Sequence, residues 1–160
     1  LSQLIDVGQA ENERDVSFLK WAGLLHEIGI SISHSGFHKH GAYVVTYADM
    51  PGFSKKDQEW LAFLLLGQRG KLEKLSSIAV DDPLWRLVFC LRLAALLHRP
   101  RDDRPLPSLS VKQGASGFMV EFPADWLQSN LLSASALSEE ASTWQRVGLG
   151  FRIKRRMMVG

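Results

Sequence analysis

The stretch Leu24-Leu25-His26-Glu27-Ile28-Gly29-Ile30-Ser31-Ile32-Ser33-His34-Ser35-Gly36-Phe37-His38-Lys39-His40 decides how this chain folds. Leading into it, Val16, Leu19, Ala22, Gly23, Leu24 and Ile28 recur at steps of three and four, which predicts a core-facing helix over 15–30. Leaving it, a second helix is predicted over 36–47. Four of the five histidines, His26, His34, His38 and His40, fall inside the stretch with Glu27 beside the first, the densest set of potential metal ligands in the chain. Further out, Pro51-Gly52 breaks the helical pattern. Ser54 then stands as an N-cap with Asp57 three residues on, a capping box for a third helix whose buried side is Trp60, Leu61, Leu64 and Leu65. A fourth helix is predicted from Asp81-Asp82-Pro83, where acids and proline suit the orphan N–H groups, to about His98. It is apolar almost all round, with only Arg86, Arg92 and its end polar, as expected of the central helix of a bundle.

Pro100-Arg101-Asp102-Asp103-Arg104-Pro105-Leu106-Pro107 cannot continue that helix and is expected to separate two domains, 1–100 and 108–160. Beyond it, 108–112 and 118–122 alternate polar with apolar around Gly114-Ala115-Ser116-Gly117, a hairpin signal, and 151–154 has the same period. One short helix is predicted over 137–147. The fold expected is therefore mainly α, a helical bundle followed by a small α+β C-terminal domain.

With 160 residues and 46% hydrophobic composition the chain buries a sufficient core without disulfide or structural metal. The single Cys90, inside an apolar run, agrees and points to a reducing, cytoplasmic setting. No stretch has the length and apolarity of a bilayer span and none has the form of a signal peptide, so no membrane partner is expected. The sequence opens Leu1-Ser2-Gln3 without Met, as a processed chain or a piece of a longer one would. Net charge is +2, unevenly spread: residues 1–80 hold 8 Lys/Arg against 9 Asp/Glu, residues 81–160 hold 11 against 8. From Ala141 on there is no acid, while Arg146, Arg152, Lys154, Arg155 and Arg156 make a basic tail that suits a polyanion.

His-Glu-Ile-Gly-Ile is not the His-Glu-x-x-His zinc motif, because Ile30 replaces the second histidine. Gly67-Gln68-Arg69-Gly70-Lys71 lacks the frame of a phosphate loop, and no Gly-x-Ser-x-Gly elbow or Gly-x-Gly-x-x-Gly turn is present. Leu25-His26-Glu27-Ile28-Gly29 with His40-Gly41-Ala42 resembles the HD superfamily of metal-dependent phosphohydrolases. Three departures argue against a working metal site: Glu27 replaces Asp, no histidine occurs in 1–25, and Arg92 lies in the helix where the superfamily places its later Asp. A structural role for these histidines is the preferred reading.

The match then tightens. Leu24 to His40, followed by Ala48-Asp49-Met50-Pro51-Gly52-Phe53, Gln68-Arg69, Leu91-Arg92-Leu93, Phe122-Pro123-Ala124-Asp125-Trp126-Leu127 and Phe151-Arg152-Ile153, resembles the C-terminal region of the bacterial exopolyphosphatase / guanosine pentaphosphate phosphohydrolase (Ppx/GppA) family. The resemblance implies N-terminal actin-like catalytic domains outside this sequence that bind Mg²⁺, and an accessory role for this part: holding inorganic polyphosphate, supporting processive release of terminal phosphate and contributing to a homodimer. No catalytic residue and no metal ligand is assigned to this chain, and as a fragment it is expected to be inactive. Position 68 departs from the His that often precedes the Arg in the family, which puts Gln68 in doubt as an anion ligand.

On charge and position, Lys39, His40, Arg69, Lys71 and Arg92 are the candidate polyphosphate contacts, with 152–156 as a second patch. Polyphosphate carries about one charge per phosphate, so a Lys/Arg track would bind it with strong salt dependence, and arginine adds bidentate contacts. Two rivals stand beside this reading. One is an autonomous HD-type phosphohydrolase using His26, Glu27, His34, His38 or His40; the other is a general nucleic-acid or nucleotide-binding domain supported only by the basic tail, nucleic acid being the less expected partner.

Overall fold

Apolar spacing builds the first helix of the computed structural model, which describes residues 9–98 and 106–157, with side chains from 13 onward. α1 (Gln9–Leu25) buries Phe18, Leu19 and Ala22. It ends at Leu25 rather than at the expected Ile30. His26 Nδ1 lies 2.6 Å from the carbonyl oxygen of Gly23, the chain turns, and Ile28–Ser31 winds as a 3-10 helix. The reason is packing: Gly29 is buried so close to the next helix that a Cβ there would lie 1.9 Å from the Phe37 carbonyl oxygen. Backbone is laid on backbone, and a straight continuation of α1 would carry Gly29 away from that contact.

α2 (Phe37–Tyr47) starts after Gly36, whose φ of 67° lies in the left-handed region that glycine tolerates. α3 (Lys55–Gly67) opens on the expected capping box: Asp57 N–H donates to Ser54 Oγ at 3.1 Å and Ser54 N–H to Asp57 Oδ2 at 3.0 Å. Gln58, buried between α2 and α3, donates its amide to the carbonyls of Val45 and Ala48, closing the end of α2. After a 3-10 turn (Leu72–Leu75), α4 (Leu84–Leu97) runs through the centre, with Asp82 Oδ1 accepting from Leu84 N–H at its start. Leu84, Trp85, Leu87, Val88, Phe89, Leu93 and Leu97 are buried on it, as its all-round apolarity required. A partly buried ion pair, Arg86 Nη2 to Asp15 Oδ2 at 2.6 Å, ties it to α1.

Beyond the bundle, β1 (Ser110–Gly114) and β2 (Gly117–Pro123) form the expected antiparallel hairpin, with Val111 opposite Val120. β3 (Gly150–Arg156) pairs parallel to β2, Phe118 opposite Phe151, giving the order β1-β2-β3. A parallel pair needs a long connection, and here it is two helices, α5 (Ala124–Ser129) and α6 (Leu131–Gln145). The single short helix expected over 137–147 is thus corrected: α6 begins at Leu131, and α5 precedes it. Leu131 and Leu132, though apolar, are exposed, so no buried face marks the first turn of α6, and α5 buries only Leu127.

Phe89 of α4 stacks on Phe118 of β2 with ring centroids 4.1 Å apart, and Trp144 of α6 and Phe151 of β3 meet the same ring edge-on. The sheet and α6 therefore close over α4. The expected domain boundary falls on 100–107, of which 100–105 lie outside the described residues. The architecture is mainly α, a helical bundle joined to a small α+β unit.

Candidate functional site

Five residues, Gly67 to Lys71, turn the chain from the end of α3 into the 3-10 helix Leu72–Leu75. The C-terminal end of a helix presents orphan carbonyls and the negative pole of its dipole. Here cations meet them. Arg92, reaching from α4, donates through Nη1 to the Gly67 oxygen at 2.8 Å and to the Gly70 oxygen at 3.0 Å. Lys74 donates through Nζ to the Arg69 oxygen. Arg92 then turns its other edge to Glu140 of α6 in a two-pronged pair, Nε to Oε1 at 2.5 Å and Nη2 to Oε2 at 2.9 Å, and Trp144 Nε1 donates to the same Oε1 at 2.7 Å. The charge of Arg92 is thus neutralised inside the fold, where only 7% of its side chain is exposed.

Around the turn lie cations that have no such partner among the described residues. The Arg69 guanidinium sits 5.7 Å from the Phe37 ring centroid, and Lys71 is exposed. Two neighbours are shifted by burial and by the cations around the turn. Burial, then the charges of Lys74, Lys39, Arg69 and Arg92, lowers His38 to about 4, so its imidazole is neutral at pH 7. Burial, then the charges of Arg92 and Lys39, lowers Lys74 to about 8. His38 Nδ1 is also buried without a hydrogen-bond partner. A local excess of positive charge with depressed lysine and histidine is the electrostatic condition under which an anion is welcome, because it relieves repulsion already present.

The turn forms one lip of a cleft of about 490 Å³ lined also by the residues just after α1, the start of α2, α4 and α6. Arg69, Gly70, Lys71 and Arg92 line that lip, Ala95, Leu96 and Ala136 add apolar lining, and Glu27 and Glu139 line the same cleft.

Of the candidate contacts, Arg69, Lys71 and Arg92 come together on this lip. Lys39 does not line the cleft, although its charge reaches His38 and Lys74. His40, half-buried on α2, joins neither group. Arg92 is present but turned inward onto Glu140 and the backbone, so it shapes the lip more than it offers free charge. Gln68, buried, donates its amide to the His26 oxygen at 2.9 Å and pins the end of α1 to the turn. In the sequence Lys74 stands with Arg69 and Lys71 as a basic residue that follows a helix end, though it is not among the five candidate contacts. Glu140 carries no sequence signal as a site residue, because its partner is 48 residues away. Among the described residues no three of His, Cys, Asp and Glu converge as a metal ion would need. His26 is exposed on its own carbonyl contact and His38 lies among cations, so these side chains do not fit a divalent metal. Of the second basic patch, Arg156 donates to the oxygen and hydroxyl of Ser108, while Lys154 lies across the sheet from Glu121.

Comparison with known proteins gives a consistent outcome. The family model described as Ppx/GppA phosphatase, domain III, matches residues 2–141. Three curated relatives carry the name guanosine-5'-triphosphate,3'-diphosphate pyrophosphatase. That of Pseudoalteromonas translucida (strain TAC 125) is 33% identical over 132 residues, covering 81% of this chain and 26% of the relative. Those of Aeromonas hydrophila subsp. hydrophila and Aeromonas salmonicida (strain A449) are 31% and 30% identical over 140 residues, each covering 84% of this chain and 28% of the relative. The chain spans about a quarter of the length of the curated relatives it matches.

Proposed function

The chain belongs to the Ppx/GppA phosphatase family, and from that premise we propose that it is the accessory part of a phosphoanhydride hydrolase, holding a condensed phosphate chain for catalytic domains that lie outside this sequence. Inorganic polyphosphate is the proposed ligand, and Mg²⁺ belongs to those other domains. One observation supports the reading: Arg69 and Lys71, which pair with no carboxylate among the described residues, line one turn of the cleft, and beside them burial, then the charges of Lys74, Lys39, Arg69 and Arg92, lowers His38. A phosphate chain laid there would gain Coulomb attraction and bidentate contacts from Arg69. Association into a homodimer and a cytoplasmic setting are part of the same proposal. Among the described residues no helix is long and apolar enough to cross a membrane.

A second reading has a specific support. The relatives are named for a guanosine nucleotide, and the apolar lining at Ala95, Leu96 and Ala136 in the same cleft as the cationic lip suits a ligand with a base as well as phosphates. Titrating the chain with long-chain polyphosphate at two salt concentrations, with phosphate release assayed in Mg²⁺ or Mn²⁺, tests the first reading. Salt-sensitive binding without release is expected. Metal-dependent release by the repurified chain would overturn the accessory role. Competition by guanosine pentaphosphate at lower concentration than a polyphosphate of equal charge would favour the second reading.

A further inference from the structure

We infer that an anion at this turn is gripped by the backbone, the N–H groups of Gly70 and Lys71 binding phosphate oxygens while Arg92 and Lys74 hold the loop in position without touching the ligand. This deepens the reading above and rests on it.

The geometry follows from the peptide unit. In a planar trans peptide the carbonyl of one residue and the N–H of the next point in opposite directions. The Arg69 oxygen is drawn inward to Lys74, so the Gly70 N–H points away from Lys74. The Gly70 oxygen is drawn inward to Arg92, so the Lys71 N–H points away from Arg92. Among the described residues neither N–H finds an acceptor, whereas the N–H of Gln68, just before, still donates to the Leu64 oxygen of α3. Gly70, at φ +75°, supplies the left-handed bend between these two successive amides. Consecutive amides in such a bend form an anion-binding concavity. Both residues line the cleft, and the exposed side chains of Arg69 and Lys71 flank them.

Without cations behind it this concavity would fail, because the C-terminal pole of α3 repels anions. Arg92 and Lys74 cover those carbonyls. They are positioning residues: Lys74 donates to the Arg69 oxygen, Arg92 donates to the oxygens of Gly67 and Gly70, and the Glu140 pair keeps Arg92 from swinging out. The amides complement the charge of Arg69 and Lys71 with direction, selecting tetrahedral phosphate oxygens over diffuse negative charge.

Inorganic tripolyphosphate, titrated into the uniformly ¹⁵N-labelled chain, is the probe. The Gly70 and Lys71 amide protons should show the largest downfield shifts. The second arm compares Lys71→Ala, which removes the ammonium only, with Lys71→Pro, which removes the N–H as well and which the native φ of −68° admits. Lys71→Pro should bind about tenfold more weakly than Lys71→Ala, the loss expected for one hydrogen bond to a charged group. Binding with shifts elsewhere and equal affinity of the two variants would overturn the inference and leave the proposed function standing. Absence of any binding of tripolyphosphate or long-chain polyphosphate to the unaltered chain would overturn both.

Discussion

Arg92 is a buried cation whose five donors are nearly all engaged, and its consequences for stability and for the site pull together. Substituting Glu140→Ala leaves that guanidinium without its carboxylate in a buried position and deprives Trp144 Nε1 of its acceptor. Removing one member of a buried pair costs about 3–5 kcal/mol, so the variant should unfold at clearly lower urea concentration. The double variant Arg92→Met, Glu140→Leu removes the unpaired charge but leaves Trp144 Nε1 and the Gly67 and Gly70 carbonyls without partners, so it should recover only part of that loss, and its tripolyphosphate binding should stay impaired. His38 gives the pH dependence. Its folded value, about 4, lies below the unfolded 6.5, so above pH 6.5 both states are neutral and it contributes nothing. Between 6.5 and 4 the unfolded chain takes up a proton that the folded one refuses. Stability should therefore fall as pH drops through that window and level off below it, and in His38→Leu the fall measured by urea titration should be shallower. Arg69 and Lys71 were legible in the sequence because both stand in the short turn after a strong helix. The inward turn of Arg92 was not, since a lone arginine on an apolar helix looks the same whether it meets a ligand or a distant glutamate.

Elements formed where local chemistry was explicit. The capping box of α3 was readable from Ser54 and Asp57 alone, and the hairpin from Gly114 to Gly117. What escaped were elements whose existence depends on tertiary contact: the 3-10 turn at Ile28–Ser31, created by the approach of Gly29 to α2, and α5, too short to show a period. The two classes should respond differently to substitution. Ser54→Ala removes one side-chain cap and should cost about 1 kcal/mol. Gly29→Ala places a methyl group against the Phe37 carbonyl, backbone that cannot rotate aside, and should cost more than Ser54→Ala, with the difference read by thermal unfolding of the two variants side by side. Because Gln68 hangs the end of α1 on the cationic turn, Gly29→Ala should also weaken polyphosphate binding, whereas Ser54→Ala should not.

At the scale of the molecule, the bundle and the sheet share an aromatic centre in which Trp144 meets Trp85, Phe89 and Phe118, and Phe89 meets Phe118 and Phe151. Trp144 is wholly buried, and Trp144→Ala should cost about 3–5 kcal/mol. Since the cluster spans both units, tryptophan fluorescence and far-ultraviolet dichroism should report one common transition in the unaltered chain and in the variant. The linkage also fixes a sequence of events in time. β1 and β2 are joined by a tight turn and can pair early, but β3 has to wait until α5 and α6 are in place, because distant segments close more slowly than adjacent ones. Phe151 arrives with β3. During synthesis, then, a chain that has emerged only as far as α6 leaves the Phe89 ring without its Phe151 neighbour, half-roofed and adhesive until β3 docks.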